Sequence, residues 1–273
     1  MLLAMRQKPY SLLLMLTVVV GFSGCASLKK SVDNFNLFSV QDDITLGRKV
    51  AQQIESDPKQ FPMLPEQGNV EVYNYVRGIT QRILNSGQVP YRNQFAWQVK
   101  IIKDDKTLNA FCTPGGYIYV YTGLIKFLDS EDQLAGVLGH EIAHAAMRHS
   151  TRQMTKIYGL DAVRYVITGK AQAGVLEQIA LGLVSLKFGR THEQEADDSS
   201  VRYLCPTNYN ASGAAGFFIK LQDKGGSNPP QFLSTHPDPG NRVVAIKGRA
   251  QVLKCQGGST NESEYSRIKH LLD

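Results

Sequence analysis

Apolar positions along the chain recur at two periods, and proline and glycine mark the boundaries between them. From Ile44 to Ile54 (ITLGRKVAQQI) apolar residues are spaced by three and four, which puts them on one face of a helix. Residues 56–69 (SDPKQFPMLPEQGN) carry three prolines and a glycine and break it. In residues 70–87 (VEVYNYVRGITQRILNSG) Val72, Tyr75, Val76, Ile79 and Ile83 line one side of a second helix, and Gly87 is placed to stop it. Residues 95–104 (FAWQVKIIKD) read as a strand from their aromatic and β-branched content. Pro114-Gly115-Gly116 then turns the chain into a clear strand, YIYVY, over 117–121. A further helix starts around Ser130, a capping residue followed by Glu131, Asp132 and Gln133, which suit a helix's first turn.

The second half reads as helical. Residues 154–188 are apolar with internal glycines, but Lys170, Glu177 and Lys187 interrupt them, so one or two buried or amphipathic helices are expected rather than a membrane span. Helices are also expected at 191–204 (THEQEADDSSVRYL), 210–221 and 241–253 (NRVVAIKGRAQVL), with loop at 225–240 and a loose polar tail over 257–273. No internal repeat is visible. The succession of helices, strands and helices predicts an α+β domain over residues 41–256, mainly helical, with a small β-sheet. The strand Gly116, Tyr117, Ile118, Tyr119, Val120, Tyr121 is expected at the sheet edge beside the helix that follows, where it would receive an extended peptide.

Composition changes this picture little. An apolar content of 42% and a charged content of 20% fit a folded globular domain. The formal net charge is +6, but lysine and arginine are scattered, and no nucleic-acid partner is expected. The four cysteines form no CxxC pair, which argues against a zinc knuckle or a dithiol redox motif.

The N-terminus stands apart from the fold. Arg6 and Lys8 precede an apolar run from Tyr10 to Phe22, too short for a comfortable membrane span, and small residues follow it. This is the layout of a secretory signal over residues 1–24. Phe22-Ser23-Gly24-Cys25 resembles the lipobox of bacterial lipoproteins, with Phe22 standing where leucine is commoner. That resemblance implies lipidation of Cys25, a tether over 25–40 and anchorage to a bilayer. Ala26, in place of an aspartate, favours the periplasmic side of the outer membrane. Cys112, Cys205 and Cys255 then remain; pairing of Cys205 with Cys255 is preferred because it would pin the C-terminal segment, with Cys112 free or buried.

The chemistry concentrates in LAGVLGHEIAHAAMRHS, residues 134–150. His140 and His144 are four apart and share one helix face, a spacing that lets two imidazoles reach one zinc ion. Glu141, next to the first histidine, can reach water at the metal and take its proton. The flanking apolar residues imply a buried helix, where two histidines and a glutamate need polar compensation that a metal ion would supply. Downstream, THEQEADD offers Glu193, Glu195, Asp197 and Asp198 as further carboxylates. His149, five beyond His144, would point elsewhere in a continuous helix and reads as a surface residue.

These motifs, with NAFCTPGGYIYVYTGLI before them and THPDPGNR after them, resemble those of the M48 metallopeptidases from about Asn109 to Arg242. Within that family the chain looks like the lipoprotein-anchored periplasmic type. The resemblance implies a mainly helical, zincin-like metalloprotease fold and a single Zn2+ held by His140, His144 and Glu193. Asp197 would hold a ligating histidine from behind, in the pattern ExxxD. It implies that His236 either binds the developing oxyanion or fills the open metal position in a resting form, and that Arg242 assists or pairs with a carboxylate near the site. Glu195, Asp198 and His192 are expected to be solvated or structural. The activity implied is zinc endopeptidase action on extended or unfolded envelope polypeptides, with Glu141 as general base and envelope protein-assembly factors as partners. The rival reading is an envelope lipoprotein with chiefly chaperone or assembly activity and latent proteolysis.

Overall fold

The computed structural model describes residues 35–157, 175–224, 231–237 and 240–273. The expected leader, Cys25 and much of the expected tether lie outside the described residues. Three strands form the sheet: β1 (Gln98–Ile102), β2 (Ala110–Thr113) and β3 (Tyr117–Tyr121), in the order β1-β3-β2. β1 runs parallel to β3 and β2 antiparallel to it. The β2–β3 hairpin closes through Gly115 and Gly116, both at positive φ (+75° and +86°), a conformation glycine adopts without a Cβ penalty. A Cβ on Gly116 would also lie 2.9 Å from the Trp97 ring.

The strand 117–121 is therefore central, paired on both sides, and not the edge expected from sequence. All five of its residues are buried. Ile118 and Val120 join Val99, Ile101, Ala110 and Cys112 in the larger core, while Tyr117, Tyr119 and Tyr121 join Ile102 and Phe111 in the smaller one. A strand covered on both faces reads as a continuous apolar run. The edge strand beside the His140 helix is β2.

Helix α1 (Val40–Glu55) starts at a capping box in which Ser39 and Asp42 satisfy each other's backbone N–H, and it lays Leu46, Val50 and Ile54 on the smaller core. Helix α2 (Val70–Leu84) covers the other sheet face through Val72, Val76, Ile79 and Ile83. After the short α3 (Thr122–Phe127) comes α4 (Glu131–Ala146), buried over almost its whole length. Its N-terminal Glu131 is a buried carboxylate satisfied by Tyr75, Arg82, Tyr209 and Asn261. Helix α5 (Val175–Val184) packs on α1 and β2. Helices α6 (Arg190–Leu204) and α7 (Gly213–Lys224) pack directly on α4. Glycines permit that approach: a Cβ on Gly136 would lie 2.2 Å from the Ala214 nitrogen, and one on Gly139 would lie 2.6 Å from Ser200 Oγ. Close packing of α6 on α4 sets the acidic segment against the two histidines.

The chain closes with α8 (Gln231–Thr235), a short helix inside the expected loop, then α9 (Arg242–Val252) and α10 (Glu262–His270). The C-terminal segment is not a loose tail. Tyr265, Ile268 and Leu272 are buried in the main core, and Tyr265 Oη donates to the Ile125 carbonyl at 2.8 Å. Cys205 and Cys255 form a disulfide joining the ends of α6 and α9, and Cys112 is buried and free. Among the described residues no helix is long and apolar enough to cross a membrane.

Candidate metal centre

Four buried side chains from three places in the sequence meet at one point: His140 and His144 on α4, Glu193 on α6 and His236 just after α8, with one donor atom of each within 4.8 Å of the others. His140 Nε2 lies 3.0 Å from His144 Nε2, 3.3 Å from His236 Nδ1 and 3.4 Å from Glu193 Oε2. Glu193 Oε1 lies 3.5 Å from His144 Nε2 and 3.2 Å from His236 Nδ1. Four N and O donors bonded at about 2.0–2.1 Å to one tetrahedral ion would stand about 3.3–3.4 Å apart. With Glu193 Oε1 as the carboxylate corner, four of the six separations, at 3.0–3.5 Å, are thus close to the edges of such a tetrahedron.

The donor atoms also fit a cation chemically. Glu193 Oε2 and Glu141 Oε1 are buried and accept no hydrogen bond; Arg242 Nη1 and His236 Nε2 stand at ion-pair distance from them, and a cation at the centre would add to that compensation. His140 Nδ1 meets Asp197 Oδ1 at 2.8 Å, so in the neutral ring the proton sits on Nδ1 and Nε2 offers a lone pair toward His144. Arg242, the first residue of α9, grips Asp197 from behind and sets Nη1 3.2 Å from Glu193 Oε2. Burial alone would raise the Asp197 pKa, but hydrogen bonding to His140 and the Arg242 charge bring it below the usual carboxylate value. Glu193 is held low against burial by His236 and His140. Burial lowers the His140 pKa, yet Asp197 and Glu193 outweigh it and carry it up to about 9, so protons compete with a metal ion for this ring. Glu141 goes the other way: burial raises its pKa, and its Oε1 lies 3.6 Å from His236 Nε2.

The sequence profile of peptidase family M48 matches residues 72–250, more than half of the chain and all of this cluster. The chain belongs to peptidase family M48. It is 28% identical over 210 residues to the beta-barrel assembly-enhancing protease of Escherichia coli (strain K12), covering 70% of this chain and 41% of that protein. It is 30% identical over 159 residues to the mitochondrial metalloendopeptidase OMA1 of Arabidopsis thaliana, covering 58% and 32%. It is 32% identical over 150 residues to the metalloprotease YcaL of Escherichia coli (strain K12), covering 52% and 58%. The chain therefore spans less than two thirds of the length of each of these relatives.

Of the two roles expected for Arg242 at this M48 site, the structure shows the carboxylate pairing. Its N–H groups go to Asp197 and the His236 carbonyl, its Nη1 pairs with Glu193, and its guanidinium lies 4.0 Å from the Phe218 ring centroid, so it braces the donors from behind. Other expectations change. Residues 116–121 do not offer a free edge, because both sides of β3 are paired. His149 is not on the surface. It is fully buried, with Nδ1 3.0 Å from His144 Nδ1 and Nε2 3.1 Å from Glu195 Oε2. The cause is local: α4 ends at Ala146, and Arg148 takes φ +60°, which turns the chain back beneath the site. A left-handed arginine is strained, and ion pairing to Asp43 with a hydrogen bond to the Phe38 carbonyl hold it there. Glu195 is likewise engaged, by His149 and Arg152, and its pKa falls to about 2, mainly through its bond to His149. His192 is buried and stacked on His149, and Asp198 pairs outside with Arg202 and Arg249. Phe188, which no motif marked, stacks on the His144 ring at 4.0 Å.

Proposed function

We propose that this M48 protein is a zinc-dependent endopeptidase acting on extended or unfolded polypeptides of the cell envelope. The observation that carries this reading is the buried set of four converging donors with a second buried glutamate, Glu141, beside it. His140, His144 and Glu193 would hold the ion, and His236 would supply a fourth donor in a resting form. Zinc bound by such a set polarises a peptide carbonyl and makes water more acidic. Glu141 accepts the proton of the attacking water and passes it to the leaving amine; the burial that raises its pKa makes it a stronger base than an exposed glutamate. His236, once released from the donor set, would donate a hydrogen bond to the oxyanion.

Substrate main chain would pair with β2. Asn109 and Thr113 carbonyls accept from Tyr121 and Gly116 on the β3 side. By the alternation of an antiparallel ladder, the backbone groups of Ala110 and Cys112 face outward, where no main-chain partner occurs among the described residues. Pairing through main-chain groups reads little side-chain identity, which suits unfolded or misassembled substrates. In this form β2 is buried, with Ala180 and Val184 of α5 in the same cluster as Phe111, so substrate entry requires α5 to move.

The signal-like leader and lipobox-like Cys25 support, in this reading, a location on the periplasmic side of the outer membrane. The Cys205–Cys255 disulfide supports an oxidising compartment. The resemblance to a protease named for enhancing β-barrel assembly supports partners at the envelope assembly machinery. The covered β2 edge and the His236 donor also favour a second reading, chaperone or assembly activity with latent proteolysis. Incubation of a reduced, unfolded protein with the parent and with Glu141→Gln separates them. Cleavage by the parent alone is expected; equal cleavage by both would overturn the mechanism, and binding without cleavage by the parent would favour the second reading.

A further inference from the structure

The two α4 histidines are oriented by different means. His140 Nδ1 meets a carboxylate directly, at Asp197. His144 Nδ1 meets another imidazole, His149 Nδ1, at 3.0 Å, and that ring passes the contact to Glu195 Oε2 at 3.1 Å. Glu195 is in turn 3.2 Å from Arg152 Nη1. Both rings are buried.

With both rings neutral, hydrogen bonding along this row is possible in one direction only. A carboxylate accepts, so His149 must carry its proton on Nε2, facing Glu195. Its Nδ1 then holds a lone pair and accepts, which requires the His144 proton on Nδ1. His144 Nε2 is left with its lone pair pointing at His140 and Glu193. The reverse arrangement would set the His149 Nε2 lone pair against the Glu195 carboxylate in a buried, low-dielectric place, at a substantial cost.

We infer that His149 is a positioning residue that fixes His144 in the tautomer able to bind a metal ion, with Glu195 and Arg152 fixing His149 in turn. The inference rests on the metal-site reading above. Three features hold His149 for this role. The left-handed turn at Arg148 brings it under α4, pinned by Asp43 and the Phe38 carbonyl. His192 stacks on one face of its ring at 4.4 Å, nearly parallel at 13°. Phe188 stacks on His144 itself, so neither ring of the pair is free to swing.

The test separates hydrogen bonding from space filling. In His149→Phe the ring and its stacking remain but the acceptor is lost. In His149→Asn space is lost, but Oδ1 falls near the former Nδ1 and can accept the same proton. Zinc dissociation constants are measured for parent, both variants and Glu195→Leu by competition with a chromophoric chelator, together with the visible spectra of the cobalt(II)-loaded proteins. Weakening of about 10–100-fold is expected for Phe, with Asn restoring most of the parent affinity and the parent cobalt spectrum, and with Glu195→Leu weaker than the parent. Zinc binding by Phe as tight as by Asn, whether both are weak or both match the parent, would overturn the inference. Glu195→Leu, at a half-exposed position, reports on the same row should both His149 variants fold poorly; parent affinity there would also overturn it. Failure of the parent itself to bind zinc would remove the metal-site reading, a result distinct from a wrong ranking of the variants.

Discussion

The Arg242 guanidinium grips the Asp197 carboxylate through two parallel hydrogen bonds, Nε to Oδ2 at 2.8 Å and Nη2 to Oδ1 at 2.6 Å. Both residues are buried, and Glu193 lies against the same guanidinium. Arg242→Ala leaves two carboxylates without this cation, so a loss of about 3–5 kcal/mol is expected in urea unfolding of the metal-free protein. Arg242→Lys is expected to recover only a small part of it, because an ammonium cannot span both oxygens.

The α4–α7 contact leaves no room for a side chain at Gly136. Gly136→Ala drives a methyl into the Ala214 backbone and is expected to lower stability by about 1–3 kcal/mol. Gly78, inside α2, has open space around it, and Gly78→Ala is expected to raise stability by about 0.5–1 kcal/mol. Thermal unfolding of the two variants should move in opposite directions.

The Cys205–Cys255 bridge joins the ends of α6, which carries Glu193 and Asp197, and α9, which carries Arg242. Its reduction is expected to lower stability by about 2–4 kcal/mol. Melting with and without reductant, with the Cys205→Ser and Cys255→Ser double variant as control, measures this; the variant should melt like the reduced parent.

Burial depresses the imidazole pKa of His149 to about 4 and of His192 to about 3. Both stay neutral when folded while the unfolded chain, with ordinary histidines, protonates below about 6.5. The unfolded state then binds more protons, so stability of the metal-free protein falls as pH drops from about 6.5 toward 4, and His192 extends the fall toward 3. Each group contributes at most about 1.4 kcal/mol per pH unit. His192 has no hydrogen-bond partner for either ring nitrogen, so His192→Phe keeps the stacking and should flatten this slope. An unchanged slope in urea titrations between pH 6.5 and 4 would contradict it.

Local spacing made much of the site legible. His140 with His144, and Glu193 with Asp197, sit at helical spacings of four, and both pairs do share a face turned to the centre. Other features depend on pairing and on chain reversal. YIYVY reads as a strand, but whether it is central depends on β1 and β2, which lie on either side of it in space. Its lack of alternating polar residues was a usable signal for a strand buried on both faces. His149 escaped because a left-handed arginine ends the helical register, and no glycine or asparagine announces it. The C-terminal helix left a readable trace: Tyr265, Ile268 and Leu272 are spaced by three and four and are all buried.

Zinc content of the purified protein tests the central claim most directly. Parent and Glu141→Gln are each expected to carry about one zinc ion per chain after dialysis, while Glu193→Ala, whose fold is checked by circular dichroism, is expected to lose most of it. A parent without zinc after incubation with the metal, or Glu193→Ala retaining it at the parent level, would contradict the account.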